Sequence, residues 1–334
     1  MFCSIRCFVL ICNEIVNVFY LMKNHIPQLD YLKSVFIVLM ILFHLVYIGD
    51  TYPYLKNVVY TFHMPIFLIL SGYFSNTNKS IKSFFTSWWW LFVPYSIMEL
   101  GYVVAASVLP VRESVGSPDI VNIVRRILID PVGPYWYLHT LLICRGVHYF
   151  VEHFLQGKLD RWAILIIIGV LYWGISDGMG WMSFSCSMYF LIGVAIQLFK
   201  LNFIALFAPS VWSIVPLVIL CSNPTHLLQF NLAGCLIVYF TTSFFLWVYT
   251  LLPQSICGMS TFIGQNTLSL LLFSPIFTML SRMYQPVFMF DPSGICFATF
   301  TLVVTILGSL SITWCMDRLK LSPWFFGQKK MLKR

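Results

Sequence analysis

Charge is nearly absent from most of this chain, and its placement limits what the chain can fold into. Between residues 31 and 316, ten apolar runs alternate with links that hold most of the lysines and arginines. A helix of about 20 residues crosses the hydrocarbon core of a bilayer, and it satisfies its own backbone there. Only 10% of the 334 residues are charged and 59% are hydrophobic, against about 25% charged in a soluble domain. The expected fold is all-α: a polytopic membrane protein with about ten transmembrane helices in one bundle. The runs fall near 31–48, 57–75, 84–108, 135–154, 162–175, 183–199, 203–221, 232–252, 260–281 and 295–316.

An even number of crossings puts both ends of the bundle on one side, and loop charge says which. Lys23, Lys33, Lys79, Lys82, Lys158, Arg161, Lys200 and the residues from Arg318 onward fall on one face. Lys56, Arg112, Arg125, Arg126 and Arg282 fall on the other. The first face is the cytoplasmic one, so both termini are expected there, in the cell membrane. Trp88 to Trp90, Trp136 and Trp181 sit near the expected interfaces, as an aromatic belt would. The net charge of +8 is thus a topology signal and no nucleic-acid footprint. Ten scattered cysteines show no C-x-x-C pair and no metal-ligand spacing, so they read as small apolar packing residues.

Residues 1–29 form an extension and lead-in. Phe8 to Leu21 is apolar but contains Asn13, Glu14 and Asn17. Met22 opens a short lead-in of its own, so translation from Met22 and an interfacial helix over the first residues are both open readings. The loop from Pro110 to Pro134 is the longest, and Ile120 to Ile129 has helical spacing within it. Residues 317–334 form a basic tail suited to the cytoplasmic face and to anionic lipid. No internal repeat is evident.

The densest chemistry lies between Asp30 and Phe74. His44 lies eleven positions after Lys33. At about 100° per residue that is about 1100°, so the two share a helix face, roughly 16 Å apart. His63 lies in the next run and, in an antiparallel pair, near the depth of His44. Ionisable groups in lipid are costly and tend to face a bundle interior or wet cavity. Each also has a plain reading, Lys33 as a snorkelling flank residue and the histidines as interhelical hydrogen-bonding groups.

D-x-x-K, ten residues, His, and then F-H-M-P-I-F-L-I-L-S-G-Y-F resemble acyltransferase family 3, the integral membrane O-acyltransferases. The nearest resemblance is to the subgroup with fucose 4-O-acetylase-like proteins, which commonly has lysine at the position of Lys33. G-P-Y-W-Y-L-H-T-L-L, with Trp136 and His139, is similar to a second family segment. The resemblance implies a membrane acyltransferase domain over 30–316, a cytoplasmic acyl-CoA donor such as acetyl-CoA, no bound cofactor, and in many members a sugar or glycan acceptor. With that donor on the cytoplasmic side, Lys33 at the cytoplasmic edge is expected to meet it, and His44 is expected to be the base beside His63.

Acyl transfer from a thioester to a hydroxyl needs a base for the hydroxyl proton and a stabiliser for the developing oxyanion. Histidine suits the first role. Arg145 reads either as part of an intramembrane pair or as a donor contact. Glu99 reads as a packing group or as an acceptor-side carboxylate that orients a histidine. Trp136 and His139 are expected on the acceptor side, and His148 and Glu152, four apart, are expected to pair. Ser71 in L-S-G-Y lacks the G-x-S-x-G context of a nucleophile and reads as a small packing residue. Two features depart from the family pattern: the basic run before the third helix is reduced to Lys79 and Lys82, and Ser274 stands where a late histidine is usual. A glycan transporter and an inactive relative remain the alternatives.

Overall fold

The computed structural model describes residues 26–108 and 119–333. The expectations for residues 1–25, for Arg112 and for Glu113 lie outside the described residues. Within them the chain is helical throughout, with no strand beyond one isolated bridge between Gln156 and Leu159.

Helix α1 (Pro27–His44) begins with a proline in its first turn, where no amide hydrogen bond is lost. It ends at His44 because Leu45 turns extended. A short α2 (Val46–Thr51) leads into α3 (Pro53–Tyr73). The expected 31–48 run is therefore broken just after its histidine. Next come α4 (Ile81–Val108), α5 (Ile120–Leu128), α6 (Trp136–Leu155), α7 (Arg161–Trp173) and α8 (Phe184–Leu198). The expected 203–221 run is interrupted, giving α9 (Phe203–Leu206) and α10 (Ile214–Cys221). After α11 (Leu232–Leu251), the expected 260–281 run divides at Asn266 into α12 (Gln254–Gln265) and α13 (Thr267–Tyr284). The long α14 (Ile295–Arg318) and the short α15 (Ser322–Phe325) complete the chain.

Among the described residues six helices are long and apolar enough to cross a membrane: Pro27–His44, Ile81–Ser107, Arg161–Gly178, Leu232–Leu251, Thr267–Phe288 and Ile295–Arg318. Two more apolar helices, Phe184–Leu198 and Val211–Cys221, are shorter. The outermost helices show which solvent they meet. On α14, Thr301, Thr305, Ser309 and Thr313 are fully buried, while Val303 and Leu307 are 50% and 60% exposed. On α7, Ile166, Val170 and Trp173 face outward. Small polar residues inside and large apolar residues outside invert the pattern of a water-soluble helix. They match helices packed in lipid, where small residues let backbones approach. The protein is an integral membrane protein.

Helix α1 lies at the centre, against α3, α11, α12, α13 and α14. Leu29, Leu32, Phe36, Ile37 and Ile41 fill its buried faces. The most extensive helix crossing joins α3 to α8. A Cβ on Gly72 would stand 2.2 Å from the Phe190 carbonyl oxygen, and one on Gly193 would stand 2.0 Å from that of Ile69. Only glycine allows this approach. Ser71, beside Gly72, bonds the Tyr137 hydroxyl at 2.9 Å, so it also ties α3 to α6.

Candidate active site

Three helix features assemble the site. The break at Leu45 leaves His44 at the end of α1. Helix α3 carries Tyr60 and His63 three residues apart, hence on one face. The third feature is the turn into α6. Gly133 adopts a left-handed φ of 66° and would clash with the Tyr102 ring if it carried a Cβ. The Gly133–Tyr135 turn then delivers Trp136 as the first residue of α6.

The Tyr60 ring connects the two imidazoles, 5.8 Å from His44 and 5.0 Å from His63 between centroids. Its hydroxyl donates to the Phe43 carbonyl at 3.2 Å. His44 Nδ1 lies 2.7 Å from the Met40 carbonyl and His63 Nδ1 lies 2.8 Å from that of Val59. A carbonyl only accepts, so both Nδ1 atoms carry hydrogen. In the neutral rings Nε2 is then the atom with the lone pair. His63 Nε2 is buried with no hydrogen-bond partner among the described residues.

Two cavities meet at these residues. One, of about 530 Å³, is lined by His44, Tyr60, Lys56, Trp136, Ser274 and Arg282, among others. The other, of about 280 Å³, is lined by His44, His63, Tyr60, Trp136 and Gln229, among others. His44 and Trp136 border both. Ser274, where the resemblance predicts a histidine, is buried on the wall of the larger.

The remaining sequence candidates are elsewhere. Lys33 pairs with the buried Asp30 at 3.0 Å and lies 5.0 Å from the centre of the Phe74 ring. Arg145 lines a separate cavity of about 630 Å³ together with Lys82. His139 and Glu99 turn to the segment that follows α5: His139 Nε2 donates to the Leu128 carbonyl at 3.0 Å, and Glu99 Oε1 accepts from the Val132 amide at 2.6 Å. The Tyr95 hydroxyl donates to the Ile127 carbonyl at 2.8 Å. These three groups hold the approach to Gly133, and so set where Trp136 stands. His148 contacts Glu152 at 3.0 Å, as its spacing anticipated, and its other nitrogen bonds the Ser75 hydroxyl at 3.0 Å.

Sequence reasoning did not single out Tyr60, Lys56 or Arg282 as cavity residues. For Tyr60 the signal was present, since it precedes His63 by three positions. Arg282 shares a cavity with Lys56 and His44 through the packing of α13 on α1, which no local pattern records.

The model of acyltransferase family 3, described as an acyltransferase domain, matches residues 26–314. The chain belongs to this family. No curated protein and no solved structure gives a match. The match includes every element that builds the two cavities, from α1 through α13, so this chain is an acyltransferase whose histidines and Trp136 lie within the family's own fold. It ends before Arg318 and α15, so the last segment of the acyltransferase stands outside the family pattern.

Proposed function

We propose that this acyltransferase moves an acetyl group from cytoplasmic acetyl-CoA to a hydroxyl of a cell-surface sugar or lipid-linked glycan precursor, in the manner of the fucose 4-O-acetylase-like subgroup. The observation that carries the reading is the pair of imidazoles, each with Nδ1 engaged by a carbonyl, on cavities that share Trp136. His44 Nε2 takes the acceptor hydroxyl proton as the oxygen attacks the thioester carbonyl. The tetrahedral oxyanion collapses, the carbon–sulfur bond breaks, and the proton passes from His44 to the departing thiolate. The products are an O-acetyl ester and free CoA. His63 adds a second imidazole for proton traffic. Trp136 offers an aromatic face to a sugar ring, with Glu99 and His139 fixing the segment in front of it. Lys33 and Arg145 attract the donor's phosphates.

The proposed arrangement has ten crossings, formed by α1, α3, α4, α6, α7, α8, the 203–221 segment, α11, α13 and α14, with both ends of the bundle in the cytoplasm, as the loop charges support. Ser274 in place of a histidine favours a second reading, an inactive relative.

Mass spectrometry of the surface glycan separates the two. Cells with the wild-type protein should carry about 42 Da more per acetylated unit than cells without it. His44→Gln should abolish the increment, with turnover of the purified protein down ~100- to 10,000-fold, the usual contribution of a general base, and with near-normal amounts of protein in the membrane. Near wild-type turnover in His44→Gln would end the general-base assignment.

A further inference from the structure

The segment after α14 does not hang free. Asp317 accepts from the Met331 amide at 2.8 Å, from the Leu332 amide at 3.0 Å and from the Ser322 hydroxyl. Asn266, between α12 and α13, forms a reciprocal pair with the backbone of Lys333, accepting its amide at 2.9 Å and donating to its carbonyl at 3.1 Å. Phe326 is buried, edge-on to Phe273 at 6.4 Å. Gly327, at a left-handed φ of 68°, receives the face of Trp90 so closely that a Cβ there would stand 2.3 Å from the indole. A chain end rich in lysine is thereby held by two polar clamps and one aromatic seat.

What it is held against is a cavity of about 630 Å³ lined by Lys82, Thr86, Trp90, Arg145, Phe326 and Gln328, with further serines and apolar residues. Two cations line it, and among the described residues no carboxylate does. Lys79 stands close by. Burial, and then the Arg145 charge, pull its ammonium below the usual lysine value; the Arg145 contribution puts the two cations within electrostatic reach of each other. Desolvated like charges are costly, and a polyanion in the cavity offsets that cost. Along α6, Arg145 is nine residues from Trp136, or about 14 Å at 1.5 Å per residue. The phosphopantetheine arm of CoA covers that span.

We propose that residues 322–333, beyond the part of the chain that the family pattern covers, form one wall of the site for the acyl donor's phosphate groups, with Lys82, Arg145 and Gln328 as the contacting side chains. The proposal rests on the acyl-transfer reading for the identity of the donor. The clamps at Asp317 and Asn266 position the wall; they do not touch the donor.

The test is titration of CoA, and separately of inorganic pyrophosphate, into the full-length protein in nanodiscs of zwitterionic lipid, with a parallel series containing phosphatidylglycerol. Deletion of residues 322–334 is the direct variant, but it bares Phe273 and risks misfolding. Gln328→Glu keeps the wall and adds a carboxylate to it. It should weaken CoA binding by about tenfold or more, the order expected for spoiling a charge-assisted contact, and raise the KM for acyl-CoA equally. Lys82→Met should weaken both CoA and pyrophosphate. Unchanged CoA affinity in Gln328→Glu and in Lys82→Met overturns the site. If phosphatidylglycerol displaces CoA from the wild type, and Gln328→Glu removes that competition without weakening CoA, the cavity takes a lipid headgroup and the donor assignment falls. Failure of the acyl-transfer reading looks different: wild type then binds pyrophosphate, loses it in Lys82→Met, and neither binds CoA nor releases it from acetyl-CoA.

Discussion

The Lys33 ammonium sits between the Asp30 carboxylate and the Phe74 ring. Its side chain is 23% exposed and that of Asp30 only 2%. Asp30 also meets the Gln265 side-chain amide at 3.4 Å. Loss of the cation beside a buried carboxylate is costly, so Lys33→Met should lower stability by about 1.5–3 kcal/mol, the charged hydrogen-bond range, and Lys33→Arg should restore most of it. A thermal melt of the purified variants measures this. A donor role adds a rise in the KM for acyl-CoA that melting does not follow, and an unchanged KM leaves Lys33 as the partner of Asp30 alone. Asp291 offers a pH reading outside the spans. The Cys296 amide and the Ser293 hydroxyl hold its carboxyl down to about 2. A depressed carboxyl contributes stability that is fully present above its unfolded value of about 3.9 and is lost as pH falls through the folded value. The stability gap between wild type and Asp291→Asn should therefore be constant from pH 8 to pH 5 and shrink from pH 4 downward. A gap that does not change at low pH removes the carboxylate from that account. The residue scale is also where sequence reading reached furthest. Two histidines and a tryptophan named from spacing and resemblance line joined cavities. His139 and Glu99 were legible as buried polar groups, but their partners, the backbone at 128 and 132, belong to a loop whose path no periodicity encodes.

At the scale of elements, apolar length located the helices well and their interruptions poorly. Run lengths mark where lipid must be crossed, whereas a break depends on one or two backbone angles. Leu45 ends α1 with a ψ of 114°, yet leucine is a good helix former and the sequence continues apolar. The division at Asn266 is similar: Asn266 spends its side chain on Phe262 and Lys333, and the second of these partners is 67 residues away. Glycine was more readable, since L-S-G-Y pointed to close packing and Gly72 meets α8 there. Gly193 is the sharper test, because its Cβ would collide with backbone, which cannot rotate aside. Gly193→Val should separate α3 from α8 and cost about 1–3 kcal/mol or more, as overpacking does. Because α3 carries Tyr60 and His63, turnover should fall further than the amount of folded protein. A variant that melts and turns over like wild type would show that the crossing has slack. The chain end was the least legible element. Its lysines pointed to the cytoplasmic face and to anionic lipid, while the two phenylalanines and the glycine were the signal for its seat on Trp90 and Phe273.

For the whole molecule, long-range hydrogen bonds sort the links into two groups, and the sorting is independent of charge counting. One end of the bundle joins Asp30 to Gln265, the Tyr149 hydroxyl to the Lys79 carbonyl, and Asn266 to Lys333. The other joins the Tyr52 hydroxyl to the Ser293 carbonyl, the Leu228 amide to Thr61, and the Val132 amide to Glu99. The first group carries Lys33, Lys79, Lys82, Arg318, Lys329, Lys330 and Lys333, so positive charge concentrates on one end, as a cytoplasmic face requires. Alternation between these ends along the chain is what the proposed ten crossings predict, and on that proposal the segment around Asp119 lies outside. The same proposal separates the chemistry: the cavity lined by Lys82 and Arg145 lies away from the larger His44 cavity, which Lys56 and Arg282 border. Acyl groups would then enter from one side of the membrane and leave as esters on the other. In a background without the native cysteines, a membrane-impermeant maleimide added to intact cells should label Asp119→Cys. It should reach Lys158→Cys and Lys200→Cys only after permeabilisation. Labelling of position 119 from the cytoplasm alone would remove the ten-crossing arrangement, and with it the placement of the acceptor on the outer face.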